Sequence, residues 1–148
     1  MLRVLAGAVS ANIIVSHWML IMTFLLALFM SLAKRRNDFV IMELNNEQVS
    51  RKSITGYNLE FLSMSMIIAA SVVIVAYILY TVSPQTLAIH GEVNLYVSSI
   101  WVILGLMRYM QITFVEKKTL SPTSIILKDR FMQITILAWV LHIYLLLY

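Results

Sequence analysis

The sequence predicts an all-α polytopic membrane bundle, and three observations carry that expectation. The chain of 148 residues is 61% hydrophobic and only 12% charged, about half the charged fraction of an ordinary soluble domain. Its mean hydropathy is +0.87. Its apolar residues gather into four continuous runs, at 10–33, 59–82, 93–115 and 131–148. Each run approaches or exceeds the roughly 20 residues that a helix needs to cross about 30 Å of hydrocarbon. Only helices or closed barrels satisfy every backbone group in lipid, and continuous apolar runs exclude the alternating pattern of a barrel. The chain 1–148 reads as one membrane domain, with neither an internal repeat nor a low-complexity linker.

Composition also excludes function classes. With no cysteine, there is no disulfide framework and no thiolate metal site. The formal net charge is +4, but the cations flank apolar runs instead of lining one soluble face, so nucleic-acid binding is a poor fit. His17, His90 and His142 are isolated in sequence and lack a carboxylate at helical ligand spacing, so they read as packing or interfacial residues. No phosphate-binding glycine loop, Ser-His-Asp order or zinc signature occurs.

The first span follows Arg3 and the small cluster Ala6-Gly7-Ala8. The apolar stretch before that cluster is too short for a signal peptide, so cleavage is not expected. The span ends at Lys34-Arg35-Arg36-Asn37-Asp38. Charge costs little at the membrane surface and much inside it, so this run marks a boundary. It also gathers groups suited to holding an anionic substrate there. Phe39 to Leu44 can continue the helix past the surface or lie in the interface, and Asn45-Asn46 favours a turn. Gly56 lets the chain bend into the second span, with Asn58 as N-cap and Glu60 in the first turn. Ser65 and Ala69, four apart in that span, suit close helix packing.

Ser83–Glu92 lacks Lys and Arg, whereas both flanking connections are basic. The positive-inside rule makes the basic segments cytoplasmic, and it puts this turn and both termini outside. Trp18, Tyr80, Tyr96, Trp101 and Tyr148 then fit an outer aromatic belt or the lipid face. Arg108 lies within the third span, with Gln111 on the same helical face, and reads as either snorkelling or facing a polar cavity. Ser121-Pro122 starts a short helix that lays Ile125, Ile126 and Leu127 against the membrane surface. Lys128-Asp129-Arg130 reads as a local charge cluster in the headgroups before the fourth span.

The ordered set Arg3-Val4-Leu5-Ala6-Gly7-Ala8, Ala27 to Asp38, Arg51 with Gly56-Tyr57-Asn58-Leu59-Glu60-Phe61-Leu62, Gly105 to Tyr109, Leu127 to Arg130 and Trp139 resembles the UbiA-type membrane prenyltransferases. It looks most like the branch that makes polyprenyl-phosphate phosphoribose for cell-wall biosynthesis. The resemblance spans essentially the whole chain; each motif is weak alone and their order is more specific. It implies about nine membrane helices around a cavity open to the cytoplasm of a bacterial or archaeal plasma membrane. The family's first Asn-Asp-x-x-Asp motif does not occur here. The chain is therefore expected to be the C-terminal part of such a domain, from the end of the fifth helix through the ninth.

The resemblance implies transfer of 5-phosphoribose from phosphoribosyl diphosphate to a polyprenyl phosphate, with Mg²⁺ as cofactor. By that resemblance Lys34, Arg35 and Arg36 contact phosphate, and Asp38 holds Mg²⁺ or orients an arginine. Arg51, Tyr57, Arg108, Lys128, Asp129 and Arg130 line the cavity mouth as substrate-binding residues. A second Asp-rich motif would suit a classical aromatic prenyltransferase, but only one Asp stands among three cations here. Prenyl transfer to an aromatic acceptor and a noncatalytic four-helix membrane subunit stand as alternatives.

Overall fold

The computed structural model describes residues 17–44, 58–90, 94–116 and 122–147, and these are helical apart from short connections. In chain order they form α1 (His17–Leu44), α2 (Leu59–Thr81), α3 (Pro84–His90), a 3-10 turn (Leu95–Ser98), α4 (Ser99–Phe114), α5 (Pro122–Lys128) and α6 (Arg130–Leu147). No strand occurs among the described residues. Leu59–Ala88, Leu95–Phe114 and Arg130–Leu147 are long and apolar enough to cross a membrane. The first expected span, 10–33, overlaps α1, which is not among these three, and its residues 10–16 lie outside the described residues.

One boundary agrees with the sequence reading and one differs. Helix α1 runs unbroken through the basic cluster to Leu44, the first of the two courses open to 39–44. Lys and Arg are good helix formers, and neither glycine nor proline interrupts the segment. The Ser83–Glu92 connection is not simply a turn, because Pro84–His90 is helical. The Ser83 hydroxyl makes a hydrogen bond with the Thr86 hydroxyl at 3.0 Å and accepts one from the Thr86 backbone N–H at 3.4 Å. Pro84 then takes the first helical position, where its missing N–H costs nothing.

Two local expectations hold. Asn58 caps α2 from an extended conformation, its side-chain oxygen accepting from the Phe61 N–H at 2.6 Å, and Glu60 lies in the first turn. Pro122 opens α5, while Ser121 lies outside the described residues. Ile125, however, is buried in the core, so only Leu127 of the expected surface trio stands well exposed.

Helices α1 and α2 form the most extensive pair, α4 packs on α6, and α2 joins the two pairs through α4. The buried side of α2 is built from Leu62, Met66, Ala69, Ala70, Val73, Ala76 and Tyr77. Its alanines let the neighbouring backbones come close, the usual route to dispersion contact where lipid removes the hydrophobic drive. Ala69 joins this side while Ser65 stays half-buried. The core gathers Phe29 and Ala33 from α1, Tyr109 and Ile112 from α4, Ile125 from α5 and Met132 from α6 around Met66, Ala69 and Ala70. Phe29 and Tyr109 meet edge to face at 5.4 Å, a favoured aromatic geometry.

Hydroxyls inside the spans are satisfied locally. Ser71, Thr113 and Thr135 donate to the carbonyls of Ile67, Tyr109 and Phe131, one turn back on their own helices. Away from the basic end of α1, the bundle is tied by polar aromatic side chains. Trp139 donates its indole N–H to the Tyr77 hydroxyl at 2.9 Å, and that hydroxyl pairs with Ser98 Oγ at 2.8 Å. Trp101 donates to His142 Nδ1 at 3.1 Å. Trp101 therefore anchors α4 to α6, and His142 has the packing role expected of it.

Candidate functional site

The basic cluster on α1 faces two ways because it is helical. At about 100° per residue, Lys34 and Asp38 lie about 40° apart and each about 160° from Arg36. Phe29, Ala33 and Arg36 recur at the i, i+4, i+7 spacing of one helical face, and all three are buried. Lys34 and Arg35 are exposed and Asp38 is half-buried. The four residues grouped by sequence thus do not converge on one point.

Arg36 is only 8% exposed. Its Nε donates to Ser63 Oγ on α2 at 3.0 Å, and its Nη1 donates to the Thr113 carbonyl on α4 at 3.0 Å. Its guanidinium carbon lies 4.5 Å from the centroid of the Phe114 ring, within cation–π range. Burial lowers its pKa, an effect partly offset by Tyr109. An arginine nonetheless stays charged at any physiological pH.

Arg108 is held by carboxylates. It grips the Asp129 carboxylate with two nitrogens, Nε to Oδ1 at 3.3 Å and Nη2 to Oδ2 at 2.7 Å. Its Nη1 reaches Gln111 Oε1 at 2.9 Å and Glu116 Oε1 at 3.0 Å. The expected pairing with Gln111 is present, but the counter-ions come from the end of α4 and the α5–α6 junction. Asp129 is correspondingly more than a member of a local headgroup cluster. Its Oδ1 also accepts from the Met132 N–H at 2.9 Å and so caps α6. Lys128 and Arg130 flank it on exposed positions. Arg51 and Tyr57 lie outside the described residues.

Between α1 and the α4–α6 pair lies a cavity of about 230 Å³, lined almost wholly by apolar side chains. Leu26, Phe29 and Met30 form one wall, and Trp101, Gly105 and Tyr109 another. Met132, Thr135 and Trp139 close it from α6, and Ile126 of α5 sits at the end where the cations gather. Sequence reasoning did not single out this lining. The available signal was Gly105, an isolated glycine in an apolar span, which admits close approach where a side chain would fill the space.

Metal ligation can be tested against the donors present. No group of three or more His, Asp or Glu side chains converges among the described residues. Asp129 is committed to Arg108 and the α6 cap. Mg²⁺ commonly takes one or two protein carboxylates and completes its shell with substrate phosphates and water. Asp38 is a single half-buried carboxylate on α1.

No protein-family model matches the chain, and no solved structure matches it. It is 27% identical over 148 residues to a decaprenyl-phosphate phosphoribosyltransferase of Corynebacterium glutamicum, covering 100% of this chain and 44% of that protein. It is 29% identical over 146 residues to the protein of the same name from Mycolicibacterium smegmatis, covering 95% of this chain and 45% of the relative. The chain thus spans less than half the length of these curated relatives. Together, fold and comparison describe an all-helical integral membrane protein similar in sequence to part of two decaprenyl-phosphate phosphoribosyltransferases.

Proposed function

We propose that this chain works as part of an enzyme that transfers 5-phosphoribose from phosphoribosyl diphosphate to a polyprenyl phosphate at the cytoplasmic membrane face. The observation that carries the reading is the juxtaposition of an apolar cavity between α1, α4 and α6 with exposed cations at one end of the same helices. A polyprenyl phosphate has that division of character, an apolar tail and an anionic head. The names of the two relatives support the choice of reaction.

In this reading the lipid tail lies along the cavity and its phosphate stands at the basic end. A phosphate oxygen of the lipid attacks C1 of the ribose. The bond from C1 to the diphosphate oxygen breaks, and the diphosphate leaves with the electron pair. Both nucleophile and leaving group are already anionic, so the demand on the protein is charge stabilisation and positioning more than proton transfer. Lys34 and Arg35 are the exposed cations of α1 assigned to phosphate, and Lys128 and Arg130 add exposed cations at the α5–α6 junction. Arg51 and Tyr57 complete the proposed substrate contacts. Mg²⁺, with Asp38 as a protein ligand, would neutralise charge on the diphosphate.

The test is transfer of ribose-labelled phosphoribosyl diphosphate into the lipid fraction, run in detergent with polyprenyl phosphate on the full-length enzyme that contains this chain, because the chain alone is expected to be inactive. Label in the lipid, lost on omitting the polyprenyl phosphate, is the expected result. Prenylation of an aromatic acceptor in its place would favour the classical prenyltransferase. Failure of both reactions would favour the noncatalytic membrane subunit.

A further inference from the structure

We propose that Arg36 is a positioning residue that sets the rotation of α1, and that it does not bind substrate phosphate. The inference rests on the proposed transfer reaction for its kinetic consequence, and on the geometry alone for its structural one. The side chain is buried and meets a different type of partner on each side, a hydroxyl of α2, a carbonyl of α4 and an aromatic face. The hydroxyl is directed for this contact. Ser63 Oγ gives its own proton to the Leu59 carbonyl at 2.7 Å, so it meets Arg36 with a lone pair.

The carbonyl is also one that needs a donor. Thr113 lies in the last turn of α4, which ends at Phe114, and the last four carbonyls of a helix lack intrahelical partners. A cation at a helix C-terminus is favoured by the helix dipole as well. One planar guanidinium thus joins α1 to the start of α2 and the last turn of α4. Lys34, on the opposite side of the same turn, is exposed because Arg36 is held inward, and Asp38 beside it is half-buried.

This reading separates from direct phosphate contact through lysine. Arg36→Lys keeps the charge but loses the planar fork, which can serve two acceptors at fixed directions. We expect Arg36→Lys to lower kcat at least tenfold per folded molecule, with KM for phosphoribosyl diphosphate within twofold of wild type. Ser63→Ala should shift kcat in the same direction by a smaller factor, although Ser63 is not among the residues assigned to phosphate. Thermal unfolding of Arg36→Gln, Ser63→Ala and the double variant in detergent gives an independent readout, expected to be non-additive. A near-normal kcat for Arg36→Lys, or a tenfold rise in KM for Arg36→Gln with an unchanged melt, would overturn the proposal. If the full-length wild-type enzyme that contains this chain transfers no label, the transfer reading fails and the unfolding cycle decides alone. Non-additivity then sustains the positioning role, and additivity refutes it.

Discussion

Asp129 holds two positions at once, and its substitutions should separate them. Its carboxylate binds Arg108 through two contacts and caps α6 through the Met132 N–H. Asp129→Asn retains a capping oxygen and loses the charge, whereas Asp129→Ala loses both. We expect Asp129→Ala to fray the first turn of α6, at a cost of about 1 kcal/mol for the cap alone, and Asp129→Asn to be milder. Hydrogen exchange at Met132 and Gln133 checks the order. Tyr77 makes a second sharp case, since its hydroxyl serves both Trp139 and Ser98. Tyr77→Phe leaves the Trp139 N–H unpaired, while Ser98 keeps its bond to the Leu95 carbonyl. A loss of about 1–2 kcal/mol is expected in detergent unfolding, with most of it attributable to the stranded indole. Capping by Asn58 could be read directly from the sequence because donor and acceptor are three residues apart. The Arg108–Asp129 pair could not, because its partners are 21 residues apart and meet only when α4 packs beside α6.

Helix α4 meets α6 across Gly105, and this contact also shapes the cavity. A Cβ built on Gly105 would lie 3.7 Å from the Thr135 methyl, an ordinary contact. Gly105→Ala should therefore be tolerated, with a gain of up to about 1 kcal/mol from better helix propensity. Gly105→Leu should instead fill part of the cavity, with an overpacking cost of about 1–3 kcal/mol. Binding of a photoreactive polyprenyl phosphate should survive the first change and fall at least fivefold with the second. Equal labelling of both variants would place the tail elsewhere. The extension of α1 past Ala33 was half legible, because the segment has helix-forming residues but also three cations at an expected boundary. Which of those cations faces inward depended on the buried Phe29–Ala33–Arg36 face. That periodicity was present in the sequence, but the positive charge of Arg36 masked its core-facing position.

The bundle offers charge at one end and apolar surface along its length, and the proposed transfer should respond to both. Lys34→Ala and Arg35→Ala are each expected to raise KM for phosphoribosyl diphosphate about threefold to tenfold, while leaving the unfolding free energy within about 0.5 kcal/mol, as suits exposed positions. Removing divalent cations with a chelator should abolish transfer, and added Mg²⁺ should restore it. Transfer that persists at full rate under chelation would remove Asp38 from its assigned role. Many large apolar side chains on α2 and α6 remain outward, including Ile68, Val75, Leu137 and Leu145. In water such surface would drive aggregation, but against hydrocarbon it carries no such penalty.

The sequence by itself determined the membrane class, the helical content and most helix starts. Those properties follow from run length, from the backbone's need for internal hydrogen bonds in lipid, and from caps only a few residues long. Tertiary structure alone decided which cations remain exposed. Arg36 and Arg108 look like Lys34 and Arg35 as isolated charges, yet packing gives the first a hydroxyl, a carbonyl and a ring, and the second two carboxylates. A charge near the membrane is stabilised by whatever polar group reaches it first. That partner is set by helix rotation and by the approach of distant segments, neither of which a local pattern of residues specifies.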